Sequence, residues 1–188
     1  MIVHCAFGQP SSYDSDDEYI KDQEEITKNL LNLRHKKFLF ISSIDVLNKQ
    51  KNTYSIAKRN CEKLVTKNSS SYLILRPALL VGDGMRESQI IQLVRRNDKD
   101  LKLTLSGDST FSIVWYSDIA KLIESDLTGI YSMARYPYLK LSYVANFFNK
   151  KPRWGKYSYQ TFDNPENNLL INSNETLDEI LNYLKEIK

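Results

Sequence analysis

Three short apolar runs with no hairpin turn between them set the tightest limit on this chain. They are Ile2-Val3-His4-Cys5-Ala6, Phe38-Leu39-Phe40-Ile41 and Ser71-Tyr72-Leu73-Ile74-Leu75-Arg76. Strands buried on both faces read as continuous apolar runs, and parallel neighbours need a helical crossover between them. The two stretches between the runs carry apolar side chains at helical spacing. The order β-α-β-α-β therefore predicts an α/β fold: a parallel sheet with helices on both faces and right-handed crossovers. In such sheets ligands bind at the carboxyl ends of the strands. Ala6–Phe7, Ser42–Ser43 and Pro77–Leu79 fall on that rim.

The first helix is expected to open at Ser15 with a capping box to Glu18. Tyr19, Gln23, Ile26, Leu30 and Leu33 form its apolar stripe. The second runs from Tyr54 to about Lys67, with Ala57, Cys61, Leu64 and Val65 as its core stripe and Tyr54 and Lys58 at the edge. Pro77 is expected to stop the third strand. Beyond it, Leu79-Leu80-Val81 is an apolar piece ending in a turn at Gly82-Asp83-Gly84. A helix is expected from Glu87 to about Asn97, then strands at Leu101–Leu105 and Phe111–Trp115 around a turn at Ser106-Gly107-Asp108. Ser117-Asp118 reads as the N-cap of a helix over Ile119–Ser125. A strand over Gly129–Met133 and a helix over Leu141–Phe148 follow, the latter ended by Pro152. Residues 157–162 alternate aromatic and polar. Thr176 and Glu179 box the last helix, whose stripe is Leu177, Ile180, Leu181, Leu184 and Ile187. Residues 1–82 thus read as the main sheet, and residues 83–188 as a smaller α+β region interleaved with it.

Composition excludes several classes. The 188 residues are 41% hydrophobic and 11% aromatic, which fits a globular chain. A net charge of +3 with dispersed basic residues, grouped in nothing longer than short runs such as Lys49-Gln50-Lys51, Arg95-Arg96 and Lys150-Lys151, gives no nucleic-acid signature. No apolar stretch reaches the ~18–20 residues of a membrane span, and no signal-peptide pattern is seen. Cys5 and Cys61 lack metal-site spacing and read as small buried residues of a reducing compartment. No metal set is visible: Asp83, Asp108 and Asp118 read as turn and cap residues. A soluble cytoplasmic protein is the expectation.

Chemistry concentrates between Phe38 and Lys58. Tyr54 and Lys58 are one helical turn apart and share a face. An ammonium near a phenol favours the phenolate. A strand-end hydroxyl, Ser43 or Ser42, is placed to hydrogen-bond a substrate oxygen beside the tyrosine. The set is a candidate general acid/base site for carbonyl–alcohol chemistry. His4 reads as a satisfied core histidine, Cys5 as packing, and Trp154–Tyr159 as small-domain core or, alternatively, a stacking platform for a base or sugar.

Taken in order, these pieces resemble an extended short-chain dehydrogenase/reductase of the NAD-dependent epimerase/dehydratase type. Val3–Ala6 is similar to that family's fourth strand, and Thr27-Lys28-Asn29-Leu30-Leu31 to the helix after it. Phe38–Val46 resembles the strand ending in a Ser pair. Tyr54-x-x-x-Lys58 with Glu62 resembles the Y-x-x-x-K helix. Leu75-Arg76-Pro77 through Gly84, Gly107-Asp108 and Tyr116–Ala120 follow in register. The resemblance implies a partial, N-terminally truncated Rossmann-like sheet with a small C-terminal substrate region. It implies NAD or NADP as cofactor and a sugar or nucleotide-sugar as substrate. Tyr54 would be the acid/base, Lys58 would lower its pKa and bond the nicotinamide ribose, and Ser43 would orient the substrate oxygen. Cys5, Ala6, Ser42, Tyr54, Lys58 and Ala78 would line the cofactor.

Departures from the pattern are specific. No G-x-x-G-x-x-G turn occurs among six glycines in all, and the chain opens at the family's fourth strand. The link from Ser43 to Tyr54 is about half the usual length, and Leu47-Asn48 replaces Tyr-Gly. Gln23 and Leu79 each stand for a frequent Asn, and Phe111 for an Arg that often holds the diphosphate. Two functions fit: an NAD(P)-dependent sugar epimerase, dehydratase or reductase, or a non-catalytic module of the same fold that holds no dinucleotide. A bare sheet edge is a pairing hazard. The isolated chain is therefore expected to be poorly stable, or to form a homo-oligomer or recruit a partner chain that completes the sheet.

Overall fold

A computed structural model of the chain describes residues 1–48, 52–85, 87–96, 100–161, 167–169 and 175–187. Lys49-Gln50-Lys51, Asn97 and Phe162 lie outside the described residues.

The parallel sheet is as expected. Its order is β1 (Ile2–His4), β2 (Phe38–Ile41), β3 (Tyr72–Pro77) and β7 (Gly129–Met133), all pairs parallel. Phe38 and Phe40 of β2 face one way, Leu39 and Ile41 the other. The first pair packs with Leu31 of α1 (Asp16–Leu31) and Cys61 and Val65 of α2 (Thr53–Asn68). The second packs with Ile119 and Leu122 of α4 (Tyr116–Ile123). Helices therefore cover both faces. Pro77 ends β3 from inside, pairing with Met133 at the last register position, where its missing N–H leaves the ladder intact.

The α1 stripe differs from the expectation. Its buried residues are Tyr19, Gln23, Thr27 and Leu31, whereas Ile26 and Leu33 are exposed. Gln23 and Thr27 are buried because they have partners. The Gln23 side chain accepts from the Gly8 N–H and donates to the Tyr13 hydroxyl, and Thr27 meets His4 and Cys61. Ser15 accepts from the Glu18 N–H, but the Glu18 carboxylate takes the Asp14 N–H, so the box is only half formed.

The second half packs around its own core. It contains β4 (Leu79–Val81), α3 (Gln89–Arg95), β5 (Thr110–Phe111), β6 (Ile113–Trp115), β8 (Leu139–Lys140), α5 (Leu141–Phe147) and α6 (Leu177–Glu186). Ile90, Leu93, Trp115, Val144, Leu181 and Leu184 are among its buried residues. The expected strand over 111–115 splits at Ser112, whose N–H donates to Thr161 and whose hydroxyl donates to the Arg135 carbonyl. Asp118 is not an N-cap: it lies in the first turn of α4 and its carboxylate accepts from the Trp115 N–H. Residues 101–105 form isolated bridges to Arg153 and Tyr157 rather than a strand. Asn149, with φ of +51°, closes α5 before Pro152 is reached. The Thr176–Glu179 capping box forms as expected. Among the described residues no helix is long and apolar enough to cross a membrane.

One close approach in this half is testable. A Cβ on Gly155 would lie 1.9 Å from the Thr104 carbonyl oxygen, and backbone cannot swing aside. Gly155→Ala is expected to destabilise the protein by about 1–3 kcal/mol, read as a lower urea midpoint. An unchanged midpoint would contradict this packing.

Candidate active site

Three strand ends and one helix start meet around a cavity of about 760 Å³, lined by Cys5, Ala6, Ser43, Asp45, Tyr54 and Ala78 among others. Each side chain is there for a local reason. Beyond Ile41 the chain continues as Ser42, whose N–H still donates to Leu75 O, so β2 keeps its register to the rim. Ser43 then caps the 3-10 turn Ile44–Leu47, its hydroxyl oxygen accepting from the Asp45 N–H at 3.2 Å. Asn52 and Ser55 form a reciprocal capping box that starts α2 just before Tyr54. Tyr54 consequently projects from the first turn, half-buried, over the strand ends.

The two serines separate in role. The Ser42 hydroxyl donates to Glu62 at 2.6 Å, and Glu62 also holds Arg76 through two bonds of 2.8 and 2.6 Å. That network ties β2, α2 and β3 together behind the site. Ser43 accepts from a backbone amide, and its hydroxyl also bears on the Asp45 carboxylate at the cavity wall. Of the two candidate hydroxyls, Ser43 is the one outside the Glu62 network.

Lys58 is more deeply buried than the edge of a stripe. Its amine donates to Ile41 O at 2.6 Å and lies 3.7 Å from the Phe7 ring centroid and 5.6 Å from that of Tyr54. Burial brings its pKa down to about 7, against the pull of Cys61, Cys5 and Glu62. The sign of the pH effect follows. Between pH 7 and 10.5 the unfolded chain binds the extra proton, so stability rises with pH over that span and the penalty is complete below it. Raising the pH from about 7 to about 8.5 is expected to add roughly 1–2 kcal/mol, measured by urea unfolding. Lys58→Met should remove that slope; the same slope in the variant would contradict the assignment.

Other sequence expectations divide. His4 is a core histidine as expected but is only half satisfied: its Nε2 meets Thr27 Oγ1 at 3.1 Å, its buried Nδ1 has no partner among the described residues, and burial with the nearby Lys58 pulls its pKa down to about 4. Cys61 is buried as expected, but Cys5 is exposed at the cavity edge, because the face of β1 that it shares with Val3 lacks a helix among the described residues. Trp154 and Tyr157 are not core: both are exposed. Among the described residues no group of three metal-ligating side chains converges.

Other wall residues are brought together only by the fold. The Asp45 carboxylate accepts from the Tyr159 hydroxyl at 2.9 Å and from the Asn48 amide at 3.2 Å. Burial pushes the Asp45 carboxyl above its ordinary value, while Tyr159 and Ser43 oppose that shift. Tyr159 stacks on Phe111, centroids 4.9 Å apart and planes at 21°. Phe7, half-buried, meets Tyr54 edge-on at 5.9 Å. The aromatic alternation over 157–162 pointed to this segment, but only the fold brings its Tyr159 to Asp45.

No family model matches the sequence, and no curated protein does. Solved structures match in shape. UDP-glucose 4-epimerase from Thermotoga maritima, solved with UDP-glucose, superposes with a TM-score of 0.71 at 14% identity, over 98% of this chain and 75% of that one. The chain has the fold of a nucleotide-sugar epimerase. RMD from Pseudomonas aeruginosa, solved with NADPH, matches with a TM-score of 0.70 at 16% identity, over 98% and 79%. The UDP-glucuronic acid 4-epimerase of Bacillus cereus, solved with UDP-glucuronic acid and NAD, gives 0.65 at 17%, over 98% and 75%. The epimerase fold accounts for the parallel order of β1, β2, β3 and β7 and for a cavity at their carboxyl ends.

Proposed function

We propose that this chain carries the proton-handling half of an NAD(P)-dependent site acting on the sugar of a nucleotide-sugar. Residues 1–82 form its cofactor side and residues 83–188 its substrate side. The observation that carries the reading is that Ser43, Tyr54 and Ala78 share one cavity wall at the strand ends, with Lys58 buried one turn behind Tyr54. The residues present fit the nicotinamide-ribose end of the cofactor: Cys5 and Ala6 are exposed at the end of β1, and Ala78 lines the same opening. When bound, the cofactor supplies hydride acceptance and return at a sugar carbon. Ser43 donates to the sugar oxygen and holds it beside the phenol. Tyr54 takes the proton from that oxygen, or returns it. Below its pKa, Lys58 holds a positive charge near the ring and favours the phenolate. The test is a titration of the purified chain with NADH and with NADPH, followed by cofactor fluorescence. Saturable enhancement is expected with at least one of them, and no binding at millimolar cofactor would overturn the reading.

A second reading is a non-catalytic module that pairs with another chain. Two observations favour it: no glycine cluster for a pyrophosphate occurs in the sequence, and β1 is an edge strand with β2 as its one neighbour in the described sheet. Sedimentation velocity separates the two. Self-association or partner capture together with no response to either dinucleotide would support the module.

A further inference from the structure

We infer that Asp45 decides which sugars the cavity admits, accepting a sugar that offers hydroxyl or amino protons and excluding one that carries its own carboxylate. The inference rests on the preceding proposal that the cavity takes a nucleotide-sugar. Asp45 lies in the 3-10 turn directly after Ser43, on the cavity wall, and is only partly exposed. Tyr159 and Asn48 both donate to the same oxygen, Oδ1, and this fixes the carboxylate in place. An ionised carboxylate accepts hydrogen bonds and offers none, so whatever docks against it must bring donors. The stacked Phe111–Tyr159 pair forms a flat aromatic wall beside it, suited to a sugar face.

A second carboxylate in this space meets like charge. Lys58 does not offset it, because its amine is directed to Ile41 O and the Phe7 ring rather than into the cavity. Glu87, the other charged residue among the described lining, is paired with Arg96, so the repulsion falls to Asp45. At separations of 5–8 Å and partial screening, one such repulsion amounts to about tenfold in affinity.

UDP-glucose and UDP-glucuronic acid are suitable probes, since they differ only in the group on C6. Isothermal titration of the full chain at about pH 8, well above the ordinary carboxylate range, is expected to show UDP-glucose bound about tenfold more tightly. In Asp45→Asn, which keeps the shape and an acceptor for Tyr159, the two affinities should converge through tighter binding of UDP-glucuronic acid. Both ligands meet every other wall group in both proteins, so the change in ratio reports Asp45. Equal binding by the wild type, or an unchanged ratio in a folded variant, would overturn the role of Asp45 and leave the proposed function standing. Binding of neither probe at millimolar concentration would overturn the nucleotide-sugar reading, and this inference with it.

Discussion

Tyr54→Phe is expected to lower turnover about a thousandfold while leaving cofactor and sugar binding largely intact. The ring has a packing role that Phe retains, edge-on to Phe7. The change removes the hydroxyl alone. A loss confined to kcat, with the cofactor dissociation constant unchanged, is the signature of a group acting on the reacting atoms. Ser43→Ala should cost less, because it removes a donor to the substrate oxygen but not the proton acceptor. Equal activity in Tyr54→Phe would remove Tyr54 from the acid/base role.

The largest stability effect should come from Glu62→Ala. Glu62 is 4% exposed and binds both Ser42 and Arg76. Truncating it leaves the Arg76 guanidinium, itself largely buried, without its carboxylate, and leaves the Ser42 hydroxyl without an acceptor. Breaking one side of a buried pair typically costs about 3–5 kcal/mol. The same change loosens α2 from the ends of β2 and β3, so the Tyr54–Ser43 spacing should relax as well. Urea unfolding reads the first effect, and a fall in kcat beyond that of a stability-matched core variant reads the second. A loss under about 1 kcal/mol would mean that the network is solvent-screened like a surface pair.

The parts of the fold governed by short-range patterning were legible in the sequence. Phe38–Ile41 is apolar at four successive positions because both faces of β2 are covered, and that is visible without any structure. The helix expected from Tyr54 to about Lys67 forms as α2, over Thr53–Asn68. Where burial depends on a distant partner, the sequence misleads. Gln23 and Thr27 are polar yet buried, since Gly8, Tyr13, His4 and Cys61 satisfy them, and the more apolar Ile26 and Leu33 are left in solvent. The site divides the same way. Ser43, Tyr54 and Lys58 lie within 16 residues and announce themselves by spacing. Asp45 and Tyr159 are 114 residues apart and meet only through the fold. Phe7 gives no hint in the sequence that its ring will cover the Lys58 amine.

The most direct test of the proton-handling site is absorbance at the reduced-nicotinamide band after mixing the chain with oxidised cofactor and UDP-glucose. A transient rise in the wild type that is absent in Tyr54→Phe is the expected result. No rise when both ligands are shown to be bound, or the same rise in the variant, would contradict it.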